Sequence, residues 1–478
     1  MRHRVGLLLA SLIMLAVFSR RAAAGDARGV RQQQGWPAVF ELNAGDSFRL
    51  CERTVRLASF EEHWQPDHWV QNNGERRTLE SASIHVDVSG EKATLLLRPY
   101  QMPVTVNGLR LYVETTKNWA TKCDFETLDR VERDVRLSAC REGESWGPSD
   151  FVFPLRDYRW RSSTYQNTWS SLVPYNRLYY HRGEDLGAIP DRLDVMAMFD
   201  ATVIQSPLPK GDGKSNGLTI RHASGLELRY AHMNTEGIRA EMTEGAAVKA
   251  GQPLAKTGMT WNGRRSQTHD PHLHAGFAFE GTRLSTYPFF VEAYFRTYPG
   301  DALLPVAGGY YFTVPGREVK LDGSRSVARP GRKVASHHWT LHDGSATNQA
   351  QAGARYDRPG LYSEELTVTL DDGSADRDFA QVRVYDPDPV KARKIGYGWA
   401  YHTPVRGIKP GTEVLFWNRL INTAGPVSVD FGDGSEPQPV RADATHKYQK
   451  PGAYTVTLRG RGPSDEPVTV RLRLVVEP

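Results

Sequence analysis

The chain has 478 residues, 39% hydrophobic and 24% charged, which exceeds what one hydrophobic core serves and fits three or four ordinary globular domains. A net charge of +5 permits attraction to an anionic surface, and no basic run interleaved with aromatics makes a nucleic-acid site. The 43 glycines and 29 prolines call for many turns, and so for strands more than helices.

Residues 1–24 read as a signal peptide. Arg2 and Arg4 precede an apolar stretch, Val5 to Phe18, too short to span a bilayer, and Ala22-Ala23-Ala24 supplies small residues for cleavage. The expected product is secreted, extracellular or periplasmic, with no transmembrane segment in the mature chain. Export makes a disulfide permissible among Cys51, Cys123 and Cys140; Cys123 with Cys140 is the more local pairing, and one thiol is left over.

Residues 37–160 show short alternating runs. Ala82 to Val88 alternates, Ser89-Gly90-Glu91-Lys92 turns, and Ala93 to Leu97 returns, a hairpin signature in a β-rich N-terminal domain. The stretch from Tyr158 to Tyr180 is dense in aromatics that either wall a cleft or pack a core. Residues 161–300 carry six of the fifteen histidines and strand-like runs at 193–198, 217–221 and 226–230, with little helical periodicity.

The last 170 residues hold an internal repeat. Asp343-Gly344-Ser345 followed by Tyr356 to Tyr362 is matched by Asp433-Gly434-Ser435 followed by Tyr448 to Tyr454. Each copy ends in alternating strands, Leu366 to Leu370 and Thr455 to Leu458, and Asp-Gly and Pro-Gly supply tight turns. Both copies, 305–386 and 395–478, resemble PKD-type repeats. That resemblance implies immunoglobulin-like β-sandwiches that space or bind rather than catalyse.

Chemistry concentrates between the two ends of residues 161–300. His181-Arg182-Gly183-Glu184-Asp185 offers an imidazole and a carboxylate around a glycine that permits a tight bend. His272-Leu273-His274 offers two imidazoles at the period of a strand, so both face one way. Two imidazoles and a carboxylate suit zinc, and three protein ligands leave a fourth tetrahedral position open, the mark of a catalytic site. His232 ends a strand face shared with Leu226, Leu228 and Tyr230.

The segment is similar to the lysostaphin-type metallopeptidases, including the LytM and β-lytic enzymes that cut cell-wall peptides. Their pattern, HxGxDL, YxH, VxxGQ and PHLH, stands here as His181 to Leu186, Tyr230-Ala231-His232, Val248 to Gln252 and Pro271 to His274. The resemblance implies zinc on His181, Asp185 and His274. It implies His272 as general base and His232 as stabiliser of the tetrahedral oxyanion.

Departures lie at the rim. The stretch from Gly258 to Pro271 is polar and carries Arg264, Arg265 and His269, and Ala275-Gly276 replaces a usual Phe-Glu. His269 reads as a rim residue and His222 as structural or solvated. Gly213-Lys214-Ser215-Asn216-Gly217 matches a serine-hydrolase elbow but lacks its strand-turn-helix setting and reads as a hairpin loop. No HExxH occurs, which excludes the zincin arrangement.

The expectation is a mainly β protein: a β-rich domain, an antiparallel peptidase domain and two sandwiches. Its expected activity is that of a secreted zinc endopeptidase acting on peptidoglycan peptides. An exoprotease for extracellular proteins and a non-catalytic envelope-binding protein stay open as alternatives.

Overall fold

The computed structural model describes residues 28–29, 37–66, 77–122, 131–174, 178–266, 270–392, 394–440 and 443–478. The signal-peptide reading, Cys123 and His269 lie outside these residues. Cys51 and Cys140 are both free thiols, and burial pushes the Cys140 thiol up to about 12.

The N-terminal module is a sandwich. A four-stranded meander (Ser47–Leu50, Arg53–Pro66, Arg77–Val88, Glu91–Leu97) faces a five-stranded sheet built around Ala38–Leu42, Val135–Arg141 and Leu109–Thr116. Val55, Leu57, Ile84, Val86 and Leu95 meet Leu111, Val113, Leu137 and Ala139 in its core. The expected hairpin forms with a tighter turn than four residues. Val88 pairs with Glu91, and Ser89 and Gly90 both take positive φ (49° and 99°), the conformation a two-residue connection needs to match strand twist.

Residues 166–284 hold an eight-stranded antiparallel sheet. Its spine runs Gln166–Asn167, Glu184–Gly187, His272–Phe279, Leu226–Ala231, Leu218–Arg221, Ala201–Gln205. An 11-residue helix, Tyr287–Thr297, packs on it through Phe289, Phe290 and Phe295. Pro288 sits in its first turn, where a missing N–H is harmless. Trp146, Phe151, Phe153, Leu155, Tyr158 and Trp160 share this same core, so the division expected at residue 160 falls inside one hydrophobic unit. The aromatic stretch after Tyr158 divides: Tyr158 and Trp160 belong to this core, while Tyr165, also buried, packs with Trp399 and Tyr401.

Two sandwiches follow. The first repeat centres on Gly360–Leu370 paired with Ala375–Val384, the second on Gly452–Arg461 paired with Pro467–Val476. They fuse into one nine-stranded sheet where Leu361 lies beside Val468. Gly360 is required there, because a Cβ would lie 2.6 Å from the Pro467 carbonyl oxygen. Among the described residues no helix is long and apolar enough to cross a membrane; this says nothing about spanning strands.

Candidate metal and catalytic site

Cross-strand register assembles the site. Glu184–Gly187 pairs antiparallel with His272–Phe279 so that Asp185 lies opposite His274 and Gly187 opposite His272. Odd and even positions point to opposite faces, which sends Asp185 toward the imidazoles and Glu184 away, onto Thr168 and Thr286. Burial pushes the Glu184 carboxyl up to about 8. Gly183 takes φ +136°, and a Cβ there would sit 2.5 Å from the Ala275 carbonyl oxygen and 2.9 Å from the His274 ring. Only glycine lets the loop bearing His181 press this closely on the strand. His181 is pinned by its backbone: its N–H donates to Ser171 O (2.8 Å) and its carbonyl accepts from Ser170 N (2.9 Å).

His181, Asp185 and His274 offer ligand atoms that all lie within 4.8 Å of one another. Asp185 Oδ1 is 3.1 Å from His181 Nε2 and 2.8 Å from His274 Nδ1, and those two nitrogens are 3.2 Å apart. Lone pairs converging this closely are held together by protons or by a shared cation, and this donor set is one that zinc takes. Asn167 Nδ2 donates to the other carboxylate oxygen (2.7 Å) and fixes its plane. Burial alone would raise the Asp185 pKa. The neighbouring His181 and His272, with hydrogen bonds from His181 and His274, instead hold it well below the usual carboxylate range. Burial holds His274 neutral, down to about 4. Both effects keep Asp185 and His274 in their ligating states at neutral pH.

The two other imidazoles flank this cluster. His272 Nε2 lies 3.3 Å from Asp185 Oδ1, and the His232 and His272 rings are 4.6 Å apart. His272 Nδ1 donates to Asp270 O (2.7 Å) and His232 Nδ1 donates to Thr260 O (2.9 Å). Since a carbonyl oxygen only accepts, both Nδ1 atoms carry protons, so that Nε2 is the acceptor of either ring in its neutral form, and His272 Nε2 faces Asp185. Burial, then the imidazoles of His272 and His274, push the His232 pKa well below its ordinary value.

His232 does not continue its strand. The strand ends at Ala231 with Leu226, Leu228 and Tyr230 buried on one face, and His232 adopts φ 69°. A left-handed conformation at a non-glycine residue is strained, and here surrounding hydrogen bonds hold it. His232 N–H donates to Ser215 O (2.6 Å) and its carbonyl accepts from Thr260 N (3.0 Å). The Ser215 loop is the false serine-hydrolase motif. Asp212 gathers the amides of Lys214, Asn216 and Gly217 into a turn, and Asn216 Nδ2 reaches Met233 O (2.9 Å). Its role is to brace the histidine turn.

Aromatic walls close the sides. Trp261 stacks on His232 (centroids 4.2 Å) and Tyr165 lies on His272 (4.8 Å). His181, Asp185, His232 and His272 are buried, while the His274 side chain is 24% exposed and forms the accessible floor. The polar rim is an Asn262-Gly263 hairpin fastened by Arg265 to Asp191 and Glu236. His222 sits in a turn with Ser224 (2.7 Å), away from the cluster. Sequence reasoning missed Asn167, Tyr165 and Trp261; none follows a motif, and only the aromatic density around Tyr165 was a signal.

Residues 179–285 match peptidase family M23, and residues 304–384 and 400–466 each match a PKD domain. Collagenase ColA of Clostridium perfringens (strain 13 / Type A) is 30% identical over 74 residues, which span 16% of this chain and 7% of the collagenase. Among solved structures, the fibronectin(III)-like modules of Clostridium thermocellum CbhA are 13% identical, covering 37% of this chain and 94% of theirs at a TM-score of 0.14. The Bacteroides ovatus SGBP-B, solved with a mixed-linkage heptasaccharide, is 12% identical, covering 37% and 47% at 0.16. At these TM-scores neither likeness carries an argument.

Proposed function

From a chain in which a peptidase family M23 segment is followed by two PKD domains, we propose a secreted zinc endopeptidase that hydrolyses peptides of peptidoglycan. The observation that supports it best is the convergence of His181, Asp185 and His274 beside two imidazoles with fixed tautomers. These three residues would hold the metal. When bound, zinc acidifies a coordinated water and polarises the scissile carbonyl.

The chain's own groups then divide the proton work. His272 Nε2 is an acceptor beside the cluster, and its Nδ1–H is anchored on Asp270 O, so the ring takes a proton without turning. It returns that proton to the leaving amine. His232 also begins as an acceptor, so it stabilises an oxyanion only once it has gained a second proton, against burial and its two neighbouring imidazoles. Trp261 and Tyr165 exclude water from the flanks, which strengthens each of these interactions.

Zinc stoichiometry separates ligands from bases. Wild type is expected to hold one zinc per chain, His181→Ala to lose it, and His272→Ala to keep it while turnover falls at least ~100-fold. Equal metal in wild type and His181→Ala would undo the ligand assignment. Purified murein digested beside gelatin and elastin tests the substrate: cleavage of protein alone would replace the cell-wall reading with the exoprotease one.

A further inference from the structure

The first strand of the second repeat, Tyr397–Thr403, is buried on both faces. Ala400 points into the repeat's own core, while Trp399 and Tyr401 point out of it and are only 5% and 1% exposed. In a free-standing spacer that outward face would be wet. Here it lies against the peptidase. Ser163 bridges Tyr401 in antiparallel fashion, Thr164 N–H donates to Ala400 O (3.0 Å), and Ala400 N–H donates to Thr164 Oγ1 (2.9 Å). The strand thereby fastens residues 163–165.

Those residues end in the ring that covers the base. Trp399 meets Tyr165 edge to face at 5.5 Å, and Tyr165 lies 4.8 Å from His272. Trp399 is itself fixed: its Nε1–H donates to Tyr310 OH in the first repeat (2.9 Å), and the Arg383 guanidinium stands 5.9 Å from its ring. The Tyr165 carbonyl accepts from Gly187 N–H (3.1 Å), and Gly187 is the register partner of His272. Edge-to-face rings attract each other beyond the area they bury, enough to select one orientation of a small side-chain cluster.

We infer that Trp399 of the second repeat is a positioning residue for His272, acting through Tyr165, so that the second repeat is part of the catalytic unit and not a tether. The catalytic meaning rests on the peptidase reading; the packing does not.

The test compares Trp399→Ala with Trp399→Phe in the full chain. Hydrogen exchange in metal-free protein is expected to speed at least ten-fold at residues 163–167 and 272–275 in Trp399→Ala. Residues 82–97 of the N-terminal sandwich should keep their rates, and Trp399→Phe should stay near wild type. On the zinc-loaded enzyme with murein, kcat is expected to fall about ten-fold with KM within two-fold and zinc content unchanged. Unchanged exchange at 272–275 in Trp399→Ala would overturn the inference, as would a higher KM with kcat retained. Should Trp399→Ala fail to fold, Trp399→Leu takes its place under the same criteria. Faster exchange in a chain whose wild type cleaves nothing would support the packing and sink the peptidase reading.

Discussion

The two C-terminal repeats close their turns with the same atoms, yet only the second brings a tryptophan against the candidate site. Asp343 Oδ1 accepts from Ser345 N (2.9 Å) as Asp433 Oδ1 does from Ser435 N (3.1 Å). Tyr362 OH donates to Arg358 O (3.0 Å) as Tyr454 OH does to Lys450 O (2.7 Å). Their tryptophans part company: Trp339 is fully buried in the first repeat's own core, whereas Trp399 faces the peptidase. The first repeat docks through Arg98–Asp322 (2.7 Å) and Arg161–Asp378 (3.4 Å); the second also docks by charge, through Arg159–Glu477 (2.7 Å) and Arg406–Asp301 (2.5 Å), and adds rings at the site. The signature residues therefore specify the fold of a repeat, and the residues between them specify what it touches.

Trp339→Ala is the harshest way to break this comparison. It should lower stability by about 3–5 kcal/mol in urea melts while leaving kcat of the folded fraction unchanged. A kcat loss as large as that of Trp399→Ala would erase the distinction between the repeats.

Acid and base should also separate them. Burial in the second repeat holds His402 neutral, down to about 4. Unfolding frees it to take a proton, so stability is present above about pH 6.5 and drains as pH falls toward 4, by up to about 3 kcal/mol. His342 in the first repeat is shifted upward, chiefly by its hydrogen bond with Glu364. Its contribution is complete below pH 6.5 and is lost as pH rises through the raised value. Protection factors, corrected for the intrinsic pH dependence of amide exchange and read separately in residues 366–370 and 455–458 between pH 4.5 and 8, should move in opposite senses.

Smaller effects sharpen the same contrast. Arg98→Ala should loosen the first repeat from the N-terminal module by about 1 kcal/mol, seen as weaker melting cooperativity with kcat intact. Asp343→Ala, an exposed turn, should cost about 0.5–1 kcal/mol of melting stability and no activity.

The residue spacing made the metal cluster legible before any fold was in view. His272 and His274 share a strand face because side chains alternate, and the glycine in HxGxD announced the close approach that Gly183 makes to Ala275. The strand face through Leu226, Leu228 and Tyr230 was legible too, although the strand ends at Ala231 and does not reach His232. The left-handed turn that re-aims the ring was not, since it is imposed by Ser215 and Thr260 from elsewhere in the chain. The helix Tyr287–Thr297 escaped because apolar residues surround nearly its whole circumference, which hides a 3.6-residue period. Asn167 and Trp399 left no local pattern, and Tyr165 only the aromatic density around it; each acts through contacts across layers or modules.

The short edge strand Gln166–Asn167 has a consequence for recombination. It lies outside residues 179–285, yet it orients Asp185 and follows directly on the ring against His272. A gene shuffle that moved residues 179–285 into a new host would carry all three candidate metal ligands and strand their supports behind. Inheritance of this chemistry thus requires a cassette reaching back past Tyr165.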